Sequence, residues 1–267
     1  RLLVRPELFD DSVEHVWFGD HVPIGATKGT IEAFENKLTR PSTEPTLSIA
    51  VVSNASGLVQ EPDVLEETYR GRGDLAYDID TFVGTTENEL RDILQSTYDF
   101  LHYIGETSPT GIHTIDGPLD VHSIEDVGVE AFFVDANHSF ESALALAKRG
   151  AIGGIGTVGT VEQDRALEVG RAIAKLLNVG FSLRGALDVI REQIAIGDQY
   201  VIVGDGSVDI ADPKSSFPNV VDIQERESKG YSVALDIYPA GVFKIGSTFS
   251  PTFKDSHLDF LAPGLMD

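Results

Sequence analysis

Four side chains with acid, base or ligand chemistry stand near two short apolar runs: His102 and Glu106 beside LHYIG, and Asp135 and His138 beside FFVDA. If the two runs are neighbouring parallel strands, all four groups meet at the carboxyl ends of the strands, where open α/β sheets place their chemistry. Imidazole with carboxylate suits zinc or iron, yet no His-x-x-x-His spacing or similar signature accompanies them. Asp135, His138 and Ser139 have the composition of a nucleophile–base–acid set. Near-adjacent residues rarely adopt triad geometry, and no Gly-x-Ser-x-Gly elbow is present, so Ser139 reads better as a helix cap. His113 and His122 lie near a hairpin signal and read as solvent-facing. A third motif, Gly154-Ile-Gly156-Thr-Val-Gly159, has the letters of a dinucleotide fingerprint. Its glycines begin inside a strand, and no acidic residue closes a second strand about 20 residues on. Gly170-Arg171-Ala172 in that region is helical, so the glycines read as small residues permitting close helix–sheet packing.

The elements that must position these groups alternate between strand and helix. Leu47–Ser53 is a continuous apolar run, the pattern of a strand buried on both faces. Further strands are expected over 75–83, 98–105, 129–136, 151–157 and 200–203. Helices are expected over 61–69, 86–97, 139–149, 161–177 and 182–196, with a capping box at Thr86 and Glu89 and a cap at Ser182. Asp116-Gly117 signals a hairpin turn within 111–120. This order argues for an α/β fold with a central, mainly parallel sheet of about six strands flanked by helices. Residues 1–46 form a lead-in, with an aromatic stretch at His15-Val16-Trp17-Phe18 and a short helix over 27–38 that Thr27 can cap. Residues 40–45 read as a loop, 47–206 as the core, and 207–267 as a C-terminal extension with strand-like pieces at 231–237 and 242–245. No internal repeat or low-complexity tract is found.

Composition narrows the function. The 267 residues contain no cysteine, which excludes thiolate catalysis, thiolate metal ligation and disulfides. Twenty basic residues against 43 acidic ones give a net charge of −23. Such a surface disfavours nucleic acid and anionic membrane faces. No apolar stretch is long enough to span a bilayer and no signal peptide opens the chain. Dispersed acidity with 12 Arg to 8 Lys suggests a cytoplasmic protein of a halophile, an acidic mesophilic protein being the alternative. The chain starts at Arg1 without Met, in an apolar run, and so reads as a processed product or a piece of something longer.

The strand ends taken in order carry a resemblance. LHYIGE at 101–106, FVDANHS at 133–139, AIGGIG at 151–156, GFSLRGAL at 180–187 and QYVIVGDG at 199–206 together resemble the CHAT domain, in particular its haloarchaeal members. That family is caspase-like and belongs to the clan of cysteine peptidases. The likeness covers about residues 14–265, from the His15-Val16-Trp17-Phe18 lead-in to the Pro263-Gly264 close. It implies a caspase-like sandwich with a C-terminal extension of the same domain. In the family, the first of these strands is followed by the catalytic His as His-Tyr-x-Gly-His, and the second by the nucleophile as Asn-Ala-Cys-x-Ser. Carried over, the His position falls on Glu106 and the Cys position on Asn137. His102 matches the family's other, structural His. Asn137 cannot form a thiolate, and Glu106 cannot take the imidazole's acid–base role at neutral pH unless strongly perturbed.

The expectation is therefore a catalytically inactive caspase-like domain without cofactor or metal. It would bind protein partners or self-assemble, and not engage nucleic acid or insert into a membrane. The alternative is a hydrolase or metal-dependent enzyme using a remodelled cleft lined by Glu106, Asp135, His102 and His138. A domain that binds a peptide without cutting it falls between the two. An open cleft between Glu106 and Asn137 would keep ligand binding or chemistry alive, and a plugged one would favour a scaffold.

Overall fold

The computed structural model describes residues 2–6, 15–40, 46–55, 57, 60–71, 76–195, 199–211, 217–225, 230–240, 248–249 and 260–261. In chain order the lead-in holds β1 (Leu3–Val4), β2 (Val16–Trp17), β3 (Val22–Pro23), β4 (Thr27–Lys28) and α1 (Ile31–Thr39). The core follows with β5 (Thr46–Ser53), α2 (Glu61–Tyr69), β6 (Ala76–Val83), α3 (Glu87–Gln95) and β7 (Phe100–Ile104). Next come the short strands β8 (Thr107–Ser108), β9 (Gly111–His113) and β10 (Pro118–Leu119), then β11 (Ala131–Asp135), α4 (Phe140–Lys148) and β12 (Gly153–Thr157). The series continues through α5 (Gln163–Asn178), α6 (Leu183–Gln193) and β13 (Tyr200–Gly204). It ends with β14 (Asn219–Glu225), β15 (Tyr231–Ile237), β16 (Thr248–Phe249) and β17 (Phe260–Leu261).

One sheet dominates, in the order β2-β4-β13-β12-β11-β7-β5-β6. Its six long strands are the expected core strands, and the two-residue β2 and β4 extend it from the lead-in. All described pairings within this sheet are parallel except β12 with β13. The exception has a simple cause. Two helices, α5 and α6, separate these strands, so the chain returns to the sheet at the opposite end and must run antiparallel. Strand alternation divides the core into two layers. Ala50, Val52, Leu101, Tyr103, Phe132 and Val134 face α1, α3, α4 and the β8–β10 meander. Ile49, Val51, Phe100, Ile104 and Phe133 face α2, α5 and α6. A helical layer on each face of a mainly parallel sheet is the α/β sandwich expected from the strand–helix alternation.

Local signals explain most element ends. The capping box at Thr86 and Glu89 starts α3, and the Ser182 hydroxyl accepts from Gly185 N at the start of α6. Two caps differ from expectation. Thr27 lies in β4, paired with Val16, and Thr30 instead accepts from Ala33 N to start α1. Ser139 stands before α4 without capping it, because its hydroxyl donates to Val134 O at 2.8 Å and so ties the helix back to β11. The glycines at 154, 156 and 159 do serve close packing. A Cβ on Gly156 would come within 2.8 Å of Ala143 Cβ in α4, and one on Gly154 within 2.3 Å of the Phe132 ring. The Asp116-Gly117 turn joins β9 to β10, with Thr114 N donating to Gly117 O. Tyr231–Ile237 is a strand as expected, and its partner is Asn219–Glu225. The strand expected at 242–245, the loop at 41–45 and the Pro263-Gly264 close lie outside the described residues. No described helix is long and apolar enough to cross a membrane.

Candidate functional site

The parallel registers bring the two singled-out strand ends side by side. His102 pairs with Phe133 and Ile104 with Asp135, so β7 and β11 finish together. Glu106 and Asn137 both lie just beyond those ends and line one cleft of about 260 Å³. Its walls are Ala55, Ile104 and Gly105 on one side and Val161, Gln163, Ala166 and Leu167 of the α5 approach on the other. Asp135, Ala136 and Thr157 also line it. The cleft is open to solvent, and its volume lies below the roughly 300–1,000 Å³ of drug-sized ligand sites, so it suits a side chain or a peptide turn.

The rim is held by hydrogen bonds. Tyr103 bends beneath the loop after β7, and its hydroxyl reaches His113 O at 2.7 Å and Glu106 O at 3.3 Å. Gly105 is needed there, since a Cβ would meet the Tyr103 hydroxyl at 2.3 Å. Thr107 Oγ1 donates to Asn137 O at 2.6 Å, joining the two loops. The Asn137 side chain is itself occupied: its Oδ1 accepts from Val161 N at 2.7 Å and fixes the approach to α5. Glu106 is largely exposed, and its Oε2 lies 3.5 Å from His113 Nδ1. That juxtaposition had no signal in the sequence, because it depends on β9 folding back along the loop.

Asp135 and His102 form a second, buried tier. A Cβ built on Gly170 of α5 would stand 3.2 Å from Asp135 Oδ2 and 3.4 Å from His102 Nε2, so both groups converge on the gap that this glycine leaves. The His102 ring is fully buried against Phe133, with Nδ1 3.1 Å from the Tyr69 hydroxyl. Burial lowers its pKa to about 3, so it is neutral at physiological pH. Burial, and next the charge of Glu61, push the Asp135 carboxyl up to about 8. Glu61 is held by Arg171 through contacts at 2.9 and 2.5 Å. His102 Nε2 and the Tyr200 hydroxyl are buried without a hydrogen-bond partner among the described residues. Tyr69, Tyr200, Glu61 and Gly170 were missed in the sequence because nothing in their spacing links them. Only the packing of α2 and α5 on the sheet does.

His138 does not join this group. Its backbone is left-handed (φ 56°), and its Nε2 lies 3.1 Å from Thr160 Oγ1 on the surface. Ser139 is buried and bonded to Val134 O and Thr157 N, so Asp135, His138 and Ser139 form no triad. Of the four remodelled-cleft candidates, Glu106 and Asp135 line the cleft, His102 lies behind Asp135, and His138 is turned away. No group of three or more His, Asp or Glu side chains able to hold a metal ion occurs among the described residues.

No family model matches the sequence, and no curated protein matches it. Among solved structures, the chain is similar to the complex of the Porphyromonas gingivalis RgpB pro- and mature domains, with a TM-score of 0.49 and 13% identity. That match covers 71% of this chain and 55% of the other. It is also similar to the Arg-specific cysteine proteinase gingipain R (TM-score 0.48, 14% identity, 71% and 54% covered). A third likeness is to the Saccharomyces cerevisiae separase–securin complex (TM-score 0.45, 11% identity, 61% and 12% covered). The chain thus spans about half the length of the first two and a small part of the third.

Proposed function

We propose that this chain is a caspase-like domain that has lost peptidase chemistry and works by binding protein, with the cleft between β7 and β11 still able to receive a peptide segment. The observation that carries the reading is the placement of Glu106 and Asn137 together at the mouth of one open cleft, at the ends of adjacent parallel strands. These are the positions that the sequence resemblance assigns to the imidazole and the thiol. A carboxylate and an amide there supply neither the base nor the nucleophile of a cysteine peptidase. The amide oxygen is moreover engaged by Val161 N. The open cleft supports retained binding over a plugged scaffold.

The test is incubation of the chain with a proteome-derived peptide mixture, read by mass spectrometry for both retained peptides and new termini. Retention of a defined peptide class without new termini is the expected result. New termini that disappear in Glu106→Gln would overturn it.

A second reading has one observation in its favour. Asp135 presents an acid with a pKa of about 8 at the cleft wall, suited to general acid catalysis on a small substrate. Hydrolysis of activated esters that is abolished by Asp135→Asn would establish that reading.

A further inference from the structure

Beyond the cleft, the described residues contain one exposed apolar sheet face. β14 and β15 pair only with each other, in a register that sets Val221 opposite Leu235, Ile223 opposite Val233 and Glu225 opposite Tyr231. Cross-strand partners share a face, so Val221, Ile223, Tyr231, Val233 and Leu235 lie on one side, with Glu225 the one charged residue beside them. The other side carries Asp222, Gln224, Ala234 and Asp236. Only the foot of the hairpin is anchored. Phe217 and Ile237 are buried, Tyr238 N donates to Pro218 O, and the Tyr238 ring packs on Phe181 at 5.0 Å. Toward the tip, Val221 is 49% exposed, Ile223 62%, Tyr231 68% and Val233 61%.

This is the reverse of what solvent demands. A two-stranded ribbon with a β-branched and aromatic face in water has little stability of its own and requires a cover. The four side chains expose on the order of 400 Å² of surface, about half of the ~800 Å² that each partner contributes to a standard globular interface. That area fits one polypeptide segment better than a second globular copy. Charge points the same way. The apolar face carries one charged residue, Glu225, and no Lys or Arg, Asp222 and Asp236 lie on the reverse side of the strands, and the chain as a whole has a net charge of −23. A second copy would bring like charge to like charge, whereas a cationic segment would be drawn in.

We propose that the β14–β15 arm is a docking surface for a basic amphipathic segment of a partner protein. The segment lays its apolar side on Val221, Ile223, Tyr231 and Val233 and sets a Lys or Arg beside Glu225, the acidic residue of that face. This arm is separate from the cleft, so the proposal stands or falls independently of the peptide-binding reading given above.

The experiment uses fluorescence anisotropy with two labelled probes, a peptide alternating Leu and Lys and its counterpart alternating Leu and Glu. Each is titrated with the whole chain, with the double variant Ile223→Thr/Val233→Thr, and with Asp135→Asn as a cleft control. Threonine keeps the strand preference, and both positions are exposed, so circular dichroism of the double variant is expected to match the parent. The Leu–Lys peptide is expected to bind the parent and the Asp135→Asn variant alike, and the double variant at least about tenfold more weakly. The Leu–Glu peptide is expected not to bind. Equal binding of the Leu–Lys peptide by parent and double variant would reduce the effect to general charge attraction and overturn the proposal. Equal binding of both peptides would also overturn it. So would light scattering that shows a parent dimer dissociated by the double variant, which would make the occupant a second copy.

Discussion

Replacing Asp135 by Asn isolates the energetic consequence of burying an acid at the wall of the cleft. The folded chain holds the Asp135 proton up to about pH 8, whereas an unfolded aspartate releases it near 3.8. Between those values the native state binds more protons than the unfolded state, so stability falls as pH rises through the window and levels off above it. At about 1.4 kcal/mol per pH unit, the full window would amount to about 6 kcal/mol. Water reaching the carboxyl from the open cleft reduces this, and about 3 kcal/mol is the working figure. Asparagine keeps the shape and cannot ionise. Urea unfolding at fixed salt, followed by circular dichroism from about pH 5 to about pH 8, measures both proteins over the window. The general repulsion within an acidic chain acts on both alike, so the difference between them reports Asp135. Wild type is expected to lose about 3 kcal/mol relative to Asp135→Asn across the window. Parallel stability curves would refute the burial of the Asp135 carboxyl at the cleft wall.

His102 has the opposite pH dependence. Its folded pKa of about 3 lies below the ordinary 6.5, so stability is lost as pH falls below about 6.5 toward 3. His102→Gln is expected to flatten that acid limb in the same urea experiment. Gly156→Val drives a branched side chain into α4, where a Cβ alone would meet Ala143 at 2.8 Å. A loss of about 2–3 kcal/mol is expected by thermal unfolding. The charge of −23 is expected to make the fold salt-dependent, with loss of circular dichroism signal on dialysis from multimolar potassium chloride into dilute buffer. An unchanged spectrum would count against the halophile reading.

Much of the sheet was legible because its strands are apolar runs bounded by helical segments. LSIAVVS and AFFVD leave no polar face, which in a chain of this length means burial on both sides. Adjacency of β7 and β11 was assumed for a mainly parallel sheet, despite the β8–β10 excursion between them, and with it came the placement of Glu106 and Asn137 in one cleft. The antiparallel return of β13 was less visible, because it depends on α5 and α6 being two helices. Ser139 misled for a local reason: its residue type suits a cap, but the buried Val134 carbonyl competes for the hydroxyl. The convergence of Asp135, His102 and Gly170 could not be read from spacing, since the glycine lies in α5, more than thirty residues beyond Asp135. The strand Asn219–Glu225 was overlooked because its alternation is short, running only from Val221 to Gln224, and only its pairing with β15 reveals the apolar face.

The most direct test of the central claim restores the chemistry it holds to be lost. In the double variant Glu106→His/Asn137→Cys, the new thiol is the only one in the chain. Its rate of alkylation by iodoacetamide is measured against pH beside the single variant Asn137→Cys. If the two positions are those of a lost dyad, the imidazole should lower the thiol pKa by at least about one unit in the double variant alone. Identical pH profiles for the single and double variants, both titrating at the ordinary cysteine value, would contradict it.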